Sequence, residues 1–503
     1  MCGLIGIYHK NNKAVQDIFD GLIQVQHRGQ DAGGIATLNQ QKITLHKELG
    51  LVSEIFKNID YNKLNGNIGI GHVRYPTAGC DNVNEAQPFH TANPINISLA
   101  HNGTITNSDE IKSKLIKEKF CQFNTTSDSE VLLNLLSYEL FNINNDEFSN
   151  DDIFNAILKV FNQCHGGYAV VMLISGIGLV AFRDPNGVRP LSMGKNTNGS
   201  YFFASESSAI TSLGFEYLKD INPGEAVIID MEGKAIEKRL VDNAKHTPCI
   251  FEYVYFSRPD STIDSISVHK ARLRMGDYLG EKIATEFSHL DIDVVIPVPD
   301  TSRTAAMQVA HRLGKKYREG FMKNRYIGRT FIMPGQKARK KSVRQKLNPV
   351  PLEFKDKNVM LVDDSIVRGT TCKQIIEMAR DAGAKSVYFA SAAPPVRYPN
   401  VYGIDMPSSE ELIAHNRTVD EIKTLIGADW LVYQDLDDLI RCSSEGNPSI
   451  ASFECSVFSG EYVTGDVDQK YLDWLDESRN DKAQELLRNK KNTSNFVNLQ
   501  DEL

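Results

Sequence analysis

Cysteine is the second residue of this chain, in Met1-Cys2-Gly3-Leu4-Ile5-Gly6-Ile7. With Met1 removed, Cys2 would carry a thiol and a free α-amine on one residue. That is a nucleophile and its base without a triad, since a terminal amine titrates at about 8 and is partly neutral near pH 7. In isolation a Cys here reads more simply as a small buried residue opening a strand. A second chemically explicit stretch is VMLVDDSIVRGTT, residues 359–371, where an apolar run delivers Asp363 and Asp364 to a polar loop. A third is cationic: residues 337–346 hold Lys337, Arg339, Lys340, Lys341, Arg344 and Lys346.

The acid loop needs a strand before it and a helix after it. NVMLV (358–362) supplies the strand, and Cys372, Ile375, Ile376 and Ala379 share one face of a helix ended by Gly383. Ligands of open α/β sheets bind at such strand ends. Loop amides, the helix N-terminus and the hydroxyls of Ser365, Thr370 and Thr371 would cradle a phosphate, with Gly369 allowing close backbone approach. Two adjacent acids would repel that phosphate, so they must face ribose hydroxyls or a hydrated Mg²⁺. Helix capping alone would need only one of them. No GxxxxGK[ST] occurs, which leaves a nucleoside-triphosphate P-loop unsupported.

Around this segment the texture is βαβ. DVVIPVP (293–299) reads as a strand before a helix over 302–313 stopped by Gly314, and SVYFA (386–390) as the next strand. The cationic run lies between these loops in a chain that is acidic overall. It therefore reads as a flap closing over a polyanion rather than a nucleic-acid patch. The first 240 residues differ, with short strand-like runs broken by Gly, Asn and Pro. One helix is expected at Ser129–Leu140, where Val131, Leu132, Leu135, Leu136 and Leu140 recur at helical spacing behind a Ser127 or Asp128 cap.

The 503 residues suggest three domains or two large ones, able to bury cores without staples. A net charge of −8 argues against a general nucleic-acid binder. Eight cysteines (2, 80, 121, 164, 249, 372, 442 and 455) form no CxxC pair and read as reduced cytoplasmic thiols. The longest apolar run, Tyr168 to Phe182, is too short and too glycine-broken for a membrane helix, and fits a hairpin turning at SGIG. No signal peptide and no membrane association are expected.

The 359–371 segment resembles the phosphoribosyl-diphosphate (PRPP) loop of type I phosphoribosyltransferases. The resemblance gives Asp363 and Asp364 the ribose hydroxyls, and Ser365, Ile366, Val367, Arg368, Gly369, Thr370 and Thr371 the 5′-phosphate. Asp300-Thr301-Ser302 would form the diphosphate-side loop. One Mg²⁺ per subunit is implied, near Thr301, Asp363 and Asp364. In the N-terminal half, QHRGQDAGG (26–34), GIGHVRYPTAG (69–79), LAHNGTITN (99–107) and NTTSDSE (124–130) follow one another in the order of a class II glutamine amidotransferase domain. That resemblance makes Cys2 the nucleophile and Asn102 with the Gly103 amide the oxyanion hole. Arg74 would take the glutamine α-carboxylate and Asp128 its α-ammonium. Beside a free amine a histidine base is redundant, so His27, His72 and His101 are expected to be structural.

The two halves together, with CIFEYVYFSRPDS (249–261) at their junction, resemble the glutamine phosphoribosyldiphosphate amidotransferases of purine synthesis. The fold implied is an α+β N-terminal-nucleophile domain, an αββα sandwich over 2–235. A phosphoribosyltransferase α/β domain with a mainly parallel sheet follows over 260–470, then a helix or tail over 471–503. The resemblance implies glutamine and PRPP as substrates, purine nucleotides as inhibitors, a homo-oligomer (a homotetramer in the family), and a flexible loop including Tyr326, Arg329, Lys337 and Arg339. One branch of the family carries a propeptide and an iron–sulfur cluster on four cysteines. Here only Met1 precedes Cys2, and Cys249 and Cys455 match ligand regions where Asn400 and Phe458 occupy the other two. A cluster needs four thiolates, so none is expected. Two alternatives are a different glutamine amidotransferase and a non-catalytic PRPP or nucleotide sensor. The first would need an isomerase or ATP-pyrophosphatase domain, and the second has no use for the Cys2 set.

Overall fold

The computed structural model describes all residues except 58, 76–81, 119–120, 144–146, 325–346 and 480–503. The flap residues Tyr326, Arg329, Lys337 and Arg339, and the polar tail, therefore lie outside the described residues.

The N-terminal half holds two antiparallel sheets. The first runs β11 (Glu216–Asp220), β9 (Ser192–Lys195), β10 (Tyr201–Ala204), β1 (Gly3–Tyr8), β4 (Ile68–Arg74), β2 (Ala32–Asn39) and β3 (Lys42–Leu49). The second runs β13 (Ala235–Arg239), β12 (Glu225–Asp230), β8 (Gly178–Arg183), β7 (Gly166–Ile174), β6 (Ile97–Ile105) and β5 (Phe89–Thr91). Their facing sides share one core, in which Leu4, Ala36 and Ile70 of the first sheet meet Ala100, Val171 and Val227 of the second. Small residues at such positions let two sheets close on one another.

The outer faces are covered by helices. Helix Val15–Gln24 lays Ile18 and Leu22 on the first sheet, and helices Asp128–Phe141 and Asn150–Gln163 pack Leu132, Leu136 and Ile157 on the second. This is the expected helix–sheet–sheet–helix order. The Tyr168–Phe182 run is the β7–β8 hairpin, paired from Ala169–Arg183 to Ile174–Gly178.

A π-helical turn, Glu252–Phe256, and the small hairpin β14 (Thr262–Ile263) and β15 (Ile266–Ser267) lead into the second half. There β16 (Val294–Pro297), β17 (Lys316–Tyr317), β20 (Asn358–Asp363), β21 (Ser386–Ser391) and β22 (Trp430–Tyr433) form a parallel sheet, ordered β17-β16-β20-β21-β22. β18 (Phe321–Lys323) and β19 (Leu347–Pro349) form a separate antiparallel pair. Both faces of the parallel sheet are buried. Val295, Met360 and Val362 pack on helices Val268–Glu286 and Arg303–Arg312, while Ile296, Val359 and Leu361 pack on helix Thr370–Asp381. That two-sided burial is why these strands read as continuous apolar runs rather than alternating ones. The core on the first of these faces also takes in Met1 and Val188, so apolar packing is continuous between the halves.

Candidate active sites

Cys2 stands immediately before β1, a central strand flanked by β10 and β4. Its backbone nitrogen donates to Asn102 Oδ1 at 3.2 Å, and its carbonyl accepts from Arg28 Nε at 3.1 Å. Asn102 is fully buried on β6, and its Nδ2 has no partner among the described residues. One end of the carboxamide is thus fixed while the other keeps its donors free. Gly103 follows with φ +140°, and a Cβ there would stand 2.0 Å from the Gly167 carbonyl oxygen. Only glycine presents its amide from that position.

Arg74 ends β4 with its side chain almost buried, 3.7 Å from Asp31. Of the two caps anticipated for the helix after Thr126, Ser127 takes the role by accepting from the Ser129 amide. Asp128 is thereby released to accept from the Ile105 amide at 3.0 Å. A cavity of about 580 Å³ is lined by Cys2, Arg74, Gly103 and Asp128 together. A planar cation, a carboxylate and a backbone amide line one cavity there, a combination suited to the charged groups of an amino acid.

The three histidines sit beside the cavity or behind it. Burial, reinforced by Arg74 and His101, pushes His72 down to about 3, so it stays neutral. His101, also pushed down by burial, bonds Ser129 Oγ at 3.0 Å. His27 bonds Glu206 at 2.7 Å.

Sequence reasoning missed the supports. Arg28 is wholly buried and pairs with Glu206 at 2.7 Å and with Glu252 at 2.7 and 3.1 Å. Burial works against that cation, but Glu252 and Glu206 more than compensate and raise its pKa. Glu252 lies in the π-helical turn, so the pair ties the surroundings of Cys2 to the start of the second half. Val401, Gly403, Tyr471, Trp474 and Leu475, all from the second half, also line the Cys2 cavity. Nothing in their spacing announces this, because contacts between distant segments leave no local pattern.

In the second half, β20 delivers Asp363 and Asp364 to its carboxyl end as read from sequence. Burial pushes both carboxyls up, Asp364 to about 6, and Asp364 adds to the effect on Asp363. Ser365 Oγ donates to Asp364 at 2.8 Å, and Thr301 also bonds that carboxyl. The nearby cation is Arg272, whose Nε and Nη2 hold the carbonyls of Tyr253 and Ser257, each at 2.8 Å. Gly369 has φ +73° and begins helix Thr370–Asp381, with Thr370 and Thr371 exposed on its first turn. Ile366 is buried in the apolar core and Val367 bonds Ile413 through its backbone, so these two offer the loop main chain rather than side chains. Arg368 is 2.9 Å from Glu411.

Two carboxyls that resist ionisation in a buried site fit a bound cation and ribose hydroxyls, which would stabilise their charge. Among the described residues no group of three or more His, Cys, Asp or Glu could hold a metal. Mg²⁺ does not require one, because it takes one or two carboxylates plus substrate oxygens and water. At the positions matching the cluster-ligand regions of the family's other branch, Cys249 is buried with its thiol pushed up to about 12, by burial first. Asn400 accepts from the amides of Tyr402 and Ile404, and Phe458 packs on Phe251. No described helix is long and apolar enough to cross a membrane.

Comparison with known proteins agrees with this geometry. Residues 72–212 match the glutamine amidotransferase domain family and residues 264–426 the phosphoribosyl transferase domain family. An amidophosphoribosyltransferase of Pseudomonas aeruginosa is 58% identical, with 96% of each chain covered. A solved glutamine phosphoribosylpyrophosphate amidotransferase of B. subtilis, complexed with ADP and GMP, superimposes with a TM-score of 0.81 at 38% identity, covering 93% of this chain and 98% of that one. A structure described as the allosteric regulatory enzyme of purine biosynthesis gives 0.83, also at 38% identity, covering 95% and 99%.

Proposed function

The chain belongs to the amidophosphoribosyltransferase family, and we propose that its two sites divide that family's reaction, Cys2 freeing ammonia from glutamine and the Asp363–Asp364 loop receiving PRPP. The enzyme converts PRPP, glutamine and water to 5-phosphoribosylamine, glutamate and diphosphate, the first step of purine nucleotide synthesis. A non-catalytic sensor is not favoured.

The observation that carries the assignment is the shared cavity of Cys2, Arg74, Gly103 and Asp128, with Asn102 bonded to Cys2. Arg74 takes the glutamine α-carboxylate and Asp128 the α-ammonium, which sets the side-chain carboxamide before Cys2. The α-amine of processed Cys2 accepts the thiol proton, and the thiolate attacks the carboxamide carbon. Asn102 Nδ2 and the Gly103 amide stabilise the oxyanion, each donor contributing on the order of 2.7–4 kcal/mol by precedent. Collapse expels ammonia and leaves a glutamyl thioester, which water cleaves to glutamate. Removal of Met1 is required, because an acylated nitrogen cannot act as the base.

At the second site Asp363 and Asp364 hold the ribose hydroxyls, and the amides of 365–371 with Thr370 and Thr371 hold the 5′-phosphate. Ammonia attacks the anomeric carbon as diphosphate departs. One Mg²⁺ held near Thr301, Asp363 and Asp364 would supply charge neutralisation for the diphosphate. Transfer in a space closed to water keeps ammonia unprotonated. The ADP and GMP of the B. subtilis relative support purine nucleotides as inhibitors of this chain. Asn400 and Phe458 support the absence of an iron–sulfur cluster. A homotetramer in the cytoplasm is the assembly and place expected from the family.

The test compares wild type with Cys2→Ala, following PRPP-dependent diphosphate release. The glutamine-dependent reaction is lost and the ammonium-dependent one survives; retained glutamine activity in Cys2→Ala would refute the assignment.

A further inference from the structure

Arg189 follows β8 in the turn Asp184–Pro190, where its guanidinium is completely buried beside the start of the chain. Its Nη1 meets Met1 Sδ and lies 3.4 Å from Glu252 Oε1. Its Nε and Nη2 have no hydrogen-bond partner among the described residues. The surrounding carboxylates are already engaged. Glu252 is bound by Arg28 through both oxygens and by Ser257, and Glu206 by Arg28, His27, Ser261 and the Arg258 amide. Arg28 is thus held by two acids, whereas Arg189 has a 3.4 Å contact with the already engaged Glu252 and the influence of buried Glu454, which itself accepts from the Ser456 amide.

Met1 and Cys2 both line the glutamine cavity. Excision of Met1 removes the side chain that Arg189 touches and makes the adjacent Cys2 nitrogen the terminal amine. We propose that Arg189 is a positioning residue for the glutamine half-reaction, its buried charge holding the Cys2 α-amine in the neutral, proton-accepting form. The inference rests on Cys2 acting through its own amine, as assigned above.

Asn102 on β6 accepts from the Cys2 nitrogen, and the charged and titratable groups around the adjacent terminal amine of Met1 are Arg28, Arg189, His72 on β4, the Cys2 thiol and Asp405. In the Met1-bearing chain the terminal amine is pushed down to about 6, by burial first, with Arg28 and Arg189 helping and the Cys2 thiol and Asp405 opposing. Removing the Arg189 cation takes away a like charge and leaves Glu252 and Asp405 less opposed. Both changes favour the ammonium form, so the sign of the effect is fixed.

The experiment measures kcat/KM for glutamine hydrolysis against pH in wild type, Arg189→Met, Arg189→Gln and Arg189→Lys. Intact mass establishes Cys2 as the first residue, and ammonium-dependent synthesis reports folding. The neutral variants move the acid limb to higher pH by about half a unit or more, a loss of roughly threefold below the limb, with the plateau rate retained. Arg189→Lys restores the wild-type limb. An unmoved limb in either neutral variant that retains ammonium-dependent synthesis overturns the proposal, as does an equal shift in Arg189→Lys. Retained glutamine hydrolysis in Cys2→Ala would instead refute the premise, so the two failures are distinguishable.

Discussion

The backbone nitrogen of Cys2 donates to Asn102 Oδ1 across 3.2 Å, although the two residues are 100 positions apart. The bond joins the two sheets of the N-terminal half at Cys2. It also fixes one end of the Asn102 carboxamide, whose Nδ2 has no partner among the described residues.

Asn102→Ala removes that donor while leaving Cys2 in place. Glutamine hydrolysis is expected to lose about 10²–10³ in kcat, with ammonium-dependent synthesis little affected. Steady-state kinetics with each nitrogen donor checks this.

Glu252→Ala leaves Arg28 buried with Glu206 as its remaining carboxylate. Removing one partner of a buried pair costs about 3–5 kcal/mol, read as a lowered denaturation midpoint. Because Glu252 sits in the turn joining the halves, glutamine-dependent synthesis should fall further than the ammonium-dependent reaction.

The Asp363–Asp364 pair predicts a pH dependence with a definite sign. Burial raises both carboxyls, Asp364 to about 6. A carboxyl raised in the folded state opposes folding once it ionises, so ligand-free stability falls as pH rises from the usual carboxylate range through about 6. Asp364→Asn should reduce that decline in thermal melts. PRPP with Mg²⁺ favours the ionised pair, so its affinity should weaken as pH drops below about 6, as titration calorimetry would show.

Gly369→Ala tests the loop geometry. The residue has φ +73°, and a Cβ would stand 2.2 Å from Ile413 Cδ1. A left-handed non-glycine residue costs about 1–2 kcal/mol, and the crowding adds about 1–3 kcal/mol. The expected result is a raised KM for PRPP with the glutaminase site intact.

Much of the chemistry was legible in one dimension because its determinants are local. The apolar strand ending in Asp363-Asp364, the glycine that turns the loop, and the spacing of Val131 to Leu140 specify their own conformations through steric preference and periodicity. The Ser127 or Asp128 ambiguity shows where local reading stops. Both residues can cap a helix, and the choice falls to Ser127 because Asp128 is held by the Ile105 amide, from a strand that sequence does not place beside it.

The sequence by itself offered the residue types that could act: a cysteine at position 2, a paired acid loop and, by resemblance, the arginine, asparagine and aspartate proposed to hold glutamine. Tertiary structure alone decided how they are held. Arg28 reads as one more cation in QHRGQDAGG, yet its burial between Glu206 and Glu252 makes it the link between Cys2 and the second half. Arg189 reads as part of a turn, yet it lies against Met1. Val401, Gly403 and Trp474 carry no chemical signal, yet they line the Cys2 cavity from the other half. The reason is physical: backbone preference is set by near neighbours, whereas burial, charge compensation and cavity shape arise only when distant segments pack together.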